Sequence, residues 1–166
     1  MRVVDREASR LLVMSPTDSV LLMRLEPTFR APFWVTPGGG RDADETFEAA
    51  ALRELREEVG RDDLELGPWI WTRYVEFSWE DQRIRQLERT YFATAPKQFE
   101  PVVVDAGIEP IVRGRWLTQK QIASLPEIVY PVALGDLVRQ LIQDGLPPDP
   151  IDLVRPSRRY KPRSSP

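Results

Sequence analysis

The sequence predicts an α/β fold of the α+β type, in which helices pack against a mixed β-sheet. Segments with strand and helix patterns are mixed along the chain but do not alternate regularly, which argues against a doubly wound parallel sheet. With 166 residues and 42% apolar residues, the chain has the size and composition of about one globular domain. We place this domain at residues 1–146. The Pro- and Arg-rich residues 147–166 form a C-terminal tail that we expect to be disordered or loosely docked.

The N-terminal part of the chain predicts a β-hairpin followed by an irregular segment. Residues 9–14 (SRLLVM) and 19–25 (SVLLMRL) have strand composition, and the turn-rich residues 15–18 join them. Residues 33–36 (FWVT) suit a short extended segment. The Pro-Gly-Gly-Gly run at 37–40 is expected to stop regular structure.

A helix is predicted at residues 46–59, with Thr46 as N-cap and Gly60 at the C-terminal end. The elements predicted after it are strands at 69–77 and 86–95 separated by a charged loop at 80–85, a strand at 112–117, a short helix at 118–125, and a helix at 131–144.

Composition excludes several kinds of chemistry. The chain has no His and no Cys, which removes thiol nucleophiles, imidazole bases and zinc sites built from these residues. A net charge of −3 does not support general nucleic-acid binding. No apolar run is long enough for a membrane span, and no secretory signal is apparent, so we expect a cytoplasmic protein.

The helix at 46–59 concentrates carboxylates on one side. At about 100° per residue, Arg53, Glu54, Glu57 and Glu58 fall within an arc of roughly 140°. The opposite side, predicted to face the core, carries Ala51, Leu52, Leu55 and Val59.

These glutamates repel one another unless a cation is present. Glu54 is three residues from Glu57 and four from Glu58, and each like-charge pair costs about 0.2–0.5 kcal/mol on an exposed helix. Arg53 relieves part of the repulsion, and a divalent cation such as Mg²⁺ would relieve the rest. A solvated charged face is the alternative explanation. The glycines at 38–40 favour a site, because they allow the backbone to approach a ligand closely.

The segment from Gly39 to Arg61 resembles the Nudix box, G-x5-E-x7-R-E-U-x-E-E-x-G-U, where U is aliphatic. The matching positions are Gly39, Glu45, Arg53, Glu54, Leu55, Glu57, Glu58 and Gly60. Arg61 departs from the pattern, since an apolar residue is usual there. Residues 34–39 also resemble the W-x-x-P-G-G lead-in that often precedes the box.

The resemblance implies a Nudix α/β/α sandwich and a pyrophosphohydrolase. Such an enzyme uses water to cleave a nucleoside diphosphate linked to another moiety, with Mg²⁺ as cofactor and Mn²⁺ as an alternative. Glu57 and Glu58 would be the main metal ligands, and Glu54 a further ligand or the base. Arg53 would orient the glutamates, Glu45 would hold the loop through an ion pair, and the carbonyl of Gly39 or Gly40 could reach the metal.

Other residues are candidates for substrate contact or proton transfer. Some family members place the base outside the box, which makes Glu88 and Glu109 candidates here. Stacking contacts could come from Phe33, Trp34, Trp71, Tyr74 and Trp79, and phosphate contacts from Arg24, Arg30, Arg41 and Arg73, although each has an ordinary structural explanation. From these we select Arg24, Trp34, Arg41 and Trp71 as the substrate-binding candidates. The substrate, a small nucleotide, is not specified further by the sequence.

The sequence also bears on an alternative function, on the tail and on self-association. A non-catalytic Nudix-like module that senses a nucleotide is the alternative to a hydrolase, although the intact glutamates argue against it. The tail, with Arg155, Arg158, Arg159, Lys161 and Arg163 close together, could contact RNA, although a solubilising role is the simpler explanation. Nudix proteins are often homodimers, but no self-complementary surface is evident in the sequence.

Overall fold

The structure, a computed structural model, describes residues 1–107 and 109–154, the last of these by its backbone only. The strands within these residues are β1 (Arg2–Met14), β2 (Ser19–Leu25), β3 (Phe33–Val35), β4 (Gly38–Gly40), β5 (Glu65–Trp79), β6 (Gln82–Thr94), β7 (Ile111–Thr118), β8 (Ile128–Tyr130) and β9 (Ile151–Val154). The helices are α1 (Phe47–Glu54), which continues into a π-helical segment (Leu55–Val59), α2 (Gln119–Ala123) and α3 (Leu134–Asp144).

The sheet is mixed, as predicted. Its strand order is β8-β3-β2-β1-β6-β5-β9, with β4 added to β1 and β7 added to β2. The central pair, β1 and β6, is parallel, whereas β1–β2 and β5–β6 are antiparallel. β1 pairs with β6 along its whole length but with β2 only near Met14, so the two halves of the sheet diverge beyond that point.

Helices cover both faces of the sheet, which confirms the predicted sandwich. On one face, Ala51, Leu55 and Val59 pack into a core with Leu11 and Met23. On the other face, α2 and α3 pack against the strands through Ile122, Leu134, Val138 and Leu141. Leu52, which was predicted to face the core, is instead 40% exposed. That prediction was wrong.

The predicted helix at 46–59 is present but changes its winding. Thr46 caps it as expected, since its side chain accepts a hydrogen bond from Ala49 N. After Glu54 the backbone becomes π-helical, and Gly60, at φ 75°, donates to the carbonyl of Leu55. Such π-helical turns are rare and often occur at functional sites. Arg61, in place of the usual apolar residue, lies over the Phe99 ring with its guanidinium 4.3 Å from the ring centre.

Two predictions of irregular structure were wrong. Residues 38–40 form β4, because the glycines allow the chain to lie directly against β1, where a Cβ on Gly38 would be 2.2 Å from Ser9 O. Residues 82–85 belong to β6, so the loop between β5 and β6 shrinks to a turn at residues 80–81. There the charges pair across strands, as Arg85 does with Asp5.

The C-terminal part combines confirmed and unforeseen elements. The strand predicted at 112–117 is β7, and the helices at 118–125 and 131–144 are the shorter α2 and α3. The short strand β8 was missed. Residues 151–154, which were predicted to belong to the tail, form β9 and pair with β5. The rest of the tail, including its basic cluster, lies outside the described residues. No helix in the described part is long and apolar enough to cross a membrane.

Candidate active site

Arg53 is the centre of a network that organises the carboxylates of the box. It donates to both carboxylate oxygens of Glu45, at 2.7 and 3.2 Å, and to the carbonyl of Gly40 at 2.8 Å. Its remaining contacts reach Glu54 and Glu57, each at 3.0 Å. A planar guanidinium suits this task, because its fixed fork of donors holds several acceptors at once. Arg53 therefore links residues 38–40 (β4, here called the glycine strand) to the helix.

Glu54 and Glu58 are buried at the junction of the helix and the glycine strand. Their exposed fractions are 5% and 3%. Glu58 accepts a hydrogen bond from the backbone N–H of Gly38 at 2.9 Å. Glu54 lies against Gly39 so closely that a Cβ there would be 2.6 Å from its Oε1. Gly39 is thus the residue that leaves room for this carboxylate.

Burial changes the proton affinity of both buried glutamates. It raises the pKa of Glu54 to about 7, although Arg53 partly opposes this effect. Burial also raises the pKa of Glu58 well above its usual range, and the nearby charge of Glu109 adds to the increase. Glu45 behaves differently, because its hydrogen bonds to Arg53 lower its pKa. In the metal-free protein, burial therefore makes ionisation of Glu54 and Glu58 unfavourable, although Arg53 favours the charged form of Glu54.

The carboxylates of Glu54, Glu57 and Glu58 are suitable ligands for a hard divalent cation, but in the structure they do not point to a common centre. Within residues 1–107 and 109–154, no three acidic side chains lie together in a geometry that could hold a metal ion. Glu57 is turned to Arg53 and Glu58 to the Gly38 N–H, which satisfies them separately. Mg²⁺ and Mn²⁺ prefer carboxylate and carbonyl oxygens. Glu54, Glu57 and Glu58 could present such oxygens after side-chain rotation.

A second network of charges lies next to the box and was not expected from the sequence. Arg10 donates to the carbonyls of Gly38 at 2.9 Å and Thr36 at 3.4 Å. Its Nε lies 3.5 Å from Glu88, whose carboxylate also accepts from Arg73 at 2.7 Å and Gln86 at 2.6 Å. Burial opposes ionisation of Glu88, but the two arginines hold its pKa below its usual range. Glu88 is therefore a buried, charged residue and not a surface strand residue.

This network forms the polar floor of a pocket of about 600 Å³. The floor comes from alternate residues of three neighbouring strands, which point to the same face of the sheet. Apolar and aromatic side chains form much of the walls, among them Leu25, Phe33, Val35, Val75, Phe77, Trp79, Leu137 and Leu153. Arg6, Arg30, Glu76, Glu109 and Tyr130 complete the polar part of the lining.

Glu109 lines the pocket and its charge acts on the buried glutamates of the helix. It raises the pKa of both Glu54 and Glu58 through electrostatic repulsion. Its Oε2 atom is buried and has no hydrogen-bond partner among the described residues. Of the two candidate bases outside the box, Glu109 thus has an uncommitted oxygen, whereas Glu88 is held by the Arg10 network.

The four residues proposed for substrate contact lie away from this pocket. Strand alternation explains two of them: Trp34 points to the opposite side of β3 from Phe33, and Arg24 to the opposite side of β2 from Leu25. Arg24 instead pairs with Glu127 and Glu26. Trp71 is buried in the core beneath α3, and Arg41 binds Glu7 and the carbonyl of Glu45.

Only some of the residues that line the pocket could be predicted from the sequence. Phe33, Trp79, Arg30 and Arg73 were among many possible contacts, but nothing separated them from the rest. Arg6, Arg10 and Gln86 were missed, since only the parallel pairing of β1 with β6 brings them together. The signal that could have found Arg10 is its charge directly before the apolar residues 11–14 of the same strand.

The mixed sheet, the two helical layers and the loop-helix unit with its ordered glutamates define a hydrolase of the Nudix class. The family model described as "NUDIX domain" matches residues 5–133, well over half of the chain. The chain therefore belongs to the Nudix family, whose enzymes are pyrophosphohydrolases. No curated protein sequence matches the chain.

Solved structures support the same fold. The chain is similar to a MutT protein from Methanosarcina mazei Go1, with 16% identity and a TM-score of 0.61, over 86% of this chain and 96% of that one. It is also similar to the dihydroneopterin triphosphate pyrophosphohydrolase of E. coli, with 20% identity and a TM-score of 0.64, over 84% and 98%. The Nudix hydrolase RenU from M. smegmatis shares 26% identity at a TM-score of 0.57, over 84% and 86%.

Proposed function

We propose that this protein is a divalent-metal-dependent pyrophosphohydrolase that cleaves a nucleoside diphosphate linked to another moiety. The observation that carries the proposal is the pair of buried glutamates, Glu54 and Glu58, beside a pocket with cationic and apolar lining. Buried carboxylates that are not fully neutralised are costly to stability. Their arrangement is explained if a cation and a phosphate group share the site with them.

Glu57 and Glu58 are the proposed metal ligands, with the Gly39 carbonyl as an additional donor. When bound, Mg²⁺ or Mn²⁺ supplies charge neutralisation and Lewis-acid polarisation of the diphosphate oxygens. Arg53 holds one carboxylate oxygen of Glu57 and fixes the glycine strand β4 through the Gly40 carbonyl. Positioning of this kind is a large part of catalysis in phosphoryl transfer.

Glu54 is the proposed proton acceptor for the attacking water. A bond forms between the water oxygen and one phosphorus of the diphosphate, and the P–O bond to the leaving phosphate breaks. The leaving phosphate keeps the electron pair, and a water proton passes to the carboxylate of Glu54. The chain has no His, so a carboxylate is the natural proton acceptor, and burial against Gly39 fixes the position of Glu54. Glu109 is the second candidate, because it has a buried oxygen without a hydrogen-bond partner among the described residues and its charge acts on Glu54.

The pocket beside the box is the proposed site for the part of the substrate that lies beyond the diphosphate. Arg10 connects the two regions, since it contacts Glu88 in the pocket and the carbonyl of Gly38 in the glycine strand. A volume of about 600 Å³ lies within the usual range for small-molecule sites. The lining does not distinguish a nucleoside triphosphate from a nucleotide sugar or a dinucleoside polyphosphate.

Product analysis with a nucleotide panel tests the proposal. The protein is incubated with Mg²⁺ and nucleoside triphosphates, ADP-ribose, nucleotide sugars and dinucleoside polyphosphates, and products are separated by ion-exchange chromatography. We expect a nucleoside monophosphate or other phosphomonoester from the wild type, no product from Glu57→Gln, and unchanged activity in Glu65→Gln, whose exposed carboxylate lies outside the site. If no compound is cleaved with Mg²⁺ or Mn²⁺ but one still raises the melting temperature, the protein is a nucleotide-binding module and the hydrolase proposal fails.

A further inference from the structure

Strand β9 adds a C-terminal segment to the edge of the sheet beside the pocket. It runs parallel to β5 and pairs Ile151 with Trp71 and Asp152 with Thr72. The register then shifts, so that Arg73 is paired with the backbone of Val154. Because the Arg73 side chain holds Glu88 in the pocket floor, β9 is attached directly to a strand that forms the site.

The connection from α3 to β9 is short and conformationally restricted. It spans residues 145–150 and contains Pro147, Pro148 and Pro150. Proline fixes φ and reduces the entropy that is lost when a segment becomes ordered. The position of β9 is therefore largely set by α3, which itself contributes Leu137 to the pocket.

Leu153 is the side chain of β9 that reaches the pocket. It is partly buried, packs against the core formed with α3, and lines the pocket together with Leu137. Ile151, on the same strand, is 44% exposed and does not line the pocket. The strand thus offers one residue inside the pocket and a matched residue outside it.

The composition of the pocket lining near Leu153 indicates which kind of substrate group would contact β9. The carboxylate of Glu88 is already held by Arg10, Arg73 and Gln86, so it offers little to a further charged group. Phe77 and Val75 of β5 and Leu153 of β9 are apolar neighbours of that floor. An uncharged ring system, such as a nucleobase, fits such a surface.

We propose that β9 is a specificity element of this pocket, and that Leu153 limits the bulk of the uncharged ring that the substrate places there. This inference rests on the proposed function, which assigns the pocket to the part of the substrate beyond the diphosphate. An apolar wall selects by size, and one methylene group is worth about 10- to 200-fold in discrimination. The C-terminal strand then sets substrate preference without touching the box.

Equilibrium binding of ATP and CTP in EDTA tests the role of Leu153 independently of catalysis. Isothermal titration calorimetry gives both dissociation constants for wild type, Leu153→Ala, Leu153→Trp and the controls Ile151→Ala and Ile151→Trp. We expect Leu153→Ala to shift the ATP/CTP affinity ratio about tenfold towards ATP, the larger base, and Leu153→Trp to weaken both ligands at least about tenfold. Both Ile151 variants should bind as the wild type does.

The outcomes separate this inference from the proposed function. If the wild type binds neither nucleotide, or if Leu153→Ala keeps the ratio and Leu153→Trp keeps both affinities, the role of β9 is overturned, whether or not the protein hydrolyses nucleotides. If the affinities shift as expected but no panel compound is cleaved, β9 keeps its role and the hydrolase proposal fails. Leu153→Met, which conserves volume, should bind as the wild type does. Thermal melting of each variant shows that any loss of binding does not come from unfolding.

Discussion

The carboxylate of Glu54 lies against the α-carbon of Gly39, and a Cβ at that position would come within 2.6 Å of Glu54 Oε1. The contact joins the glycine strand to the helix at the point where the two parts of the box meet. Because the opposing atom is the end of a flexible side chain, an added methyl group would displace the carboxylate more than it would disturb the backbone. Gly39 thus controls where Glu54 lies.

Gly39→Ala should therefore impair activity much more than stability. A displacement of about 1 Å in a catalytic group can cost about 100-fold in rate, and we expect a fall in kcat of that order. Gly40→Ala is the matched control, because a Cβ there would meet nothing within 4 Å. The measurement is steady-state kinetics with the best panel substrate, beside thermal melting of each variant. Equal kinetics for the two variants would remove the role assigned to the Glu54–Gly39 contact.

Arg53→Lys should lower activity although it keeps the positive charge. Lysine cannot hold Glu45, the Gly40 carbonyl and Glu57 at once, since it lacks the planar fork of donors. The loss of a hydrogen bond to a charged group costs about 1.5–3 kcal/mol, which corresponds to roughly 10- to 100-fold in kcat. Arg56→Lys, at an exposed position of the same helix, should leave kcat unchanged. A wild-type kcat in the Arg53→Lys variant would show that Arg53 only carries charge.

The stability of the metal-free protein should fall as pH rises from about 4.5 to 7. In this window the folded state keeps a proton on Glu54, whose pKa is raised by burial to about 7 from 4.5, whereas the unfolded state has lost it. The folded state binds more protons, so the free energy of unfolding decreases with pH, by about 3 kcal/mol for a shift of this size. The raised pKa of Glu58 extends the trend to higher pH.

Urea unfolding at several pH values in EDTA measures this trend. Glu54→Gln should flatten it, because the amide does not titrate. Added Mg²⁺ should raise the melting temperature more at pH 8 than at pH 5.5, because the cation competes with protons for the same carboxylates. If the metal-free protein gained stability between pH 5 and 7, ionisation of Glu54 and Glu58 would not be unfavourable in the folded state, which would contradict this prediction.

Substitutions of single glutamates should identify the base. If Glu54 accepts the proton, Glu54→Gln should lower kcat by about 100-fold or more while leaving KM nearly unchanged. Glu109→Gln should have a smaller effect, and Glu88→Gln should mainly reduce stability and raise KM, because it loosens the buried Arg10 and Arg73. A larger loss of kcat in Glu109→Gln than in Glu54→Gln would transfer the role to Glu109.

The box helix could be predicted from the sequence because its information is local. Thr46, Gly60 and the spacing of the glutamates lie within a few turns of one another, and the structure confirms the cap and the core contacts of Ala51, Leu55 and Val59. The exposure of Leu52 could not be foreseen in the same way. Helix faces can be assigned from an ideal helix only if the winding is uniform and the elements that cover each side are known. The local sequence specifies neither of these.

The pocket could not be predicted, because it depends on contacts between distant parts of the chain. Arg10 and Glu88 come together only through the parallel pairing of β1 with β6. Leu153, which also lines the pocket, belongs to β9 near the C-terminal end of the described residues. The strand at 38–40 was missed for a related reason. Its glycines favour turns locally, but here they allow close approach to β1, where Gly38 packs against Ser9 and Arg10.

Hydrolysis in H₂¹⁸O, with mass spectrometry of the products from wild type and Glu58→Gln, tests whether water attack depends on the buried glutamates of the box. Water attack on a diphosphate linkage that depends on the box predicts one ¹⁸O atom per turnover in one phosphate product of the wild type. The same product should be absent, or formed at least about 100-fold more slowly, in Glu58→Gln. Cleavage without ¹⁸O incorporation, or equal rates in the two proteins, would contradict a hydrolase whose chemistry depends on the buried glutamates of the box.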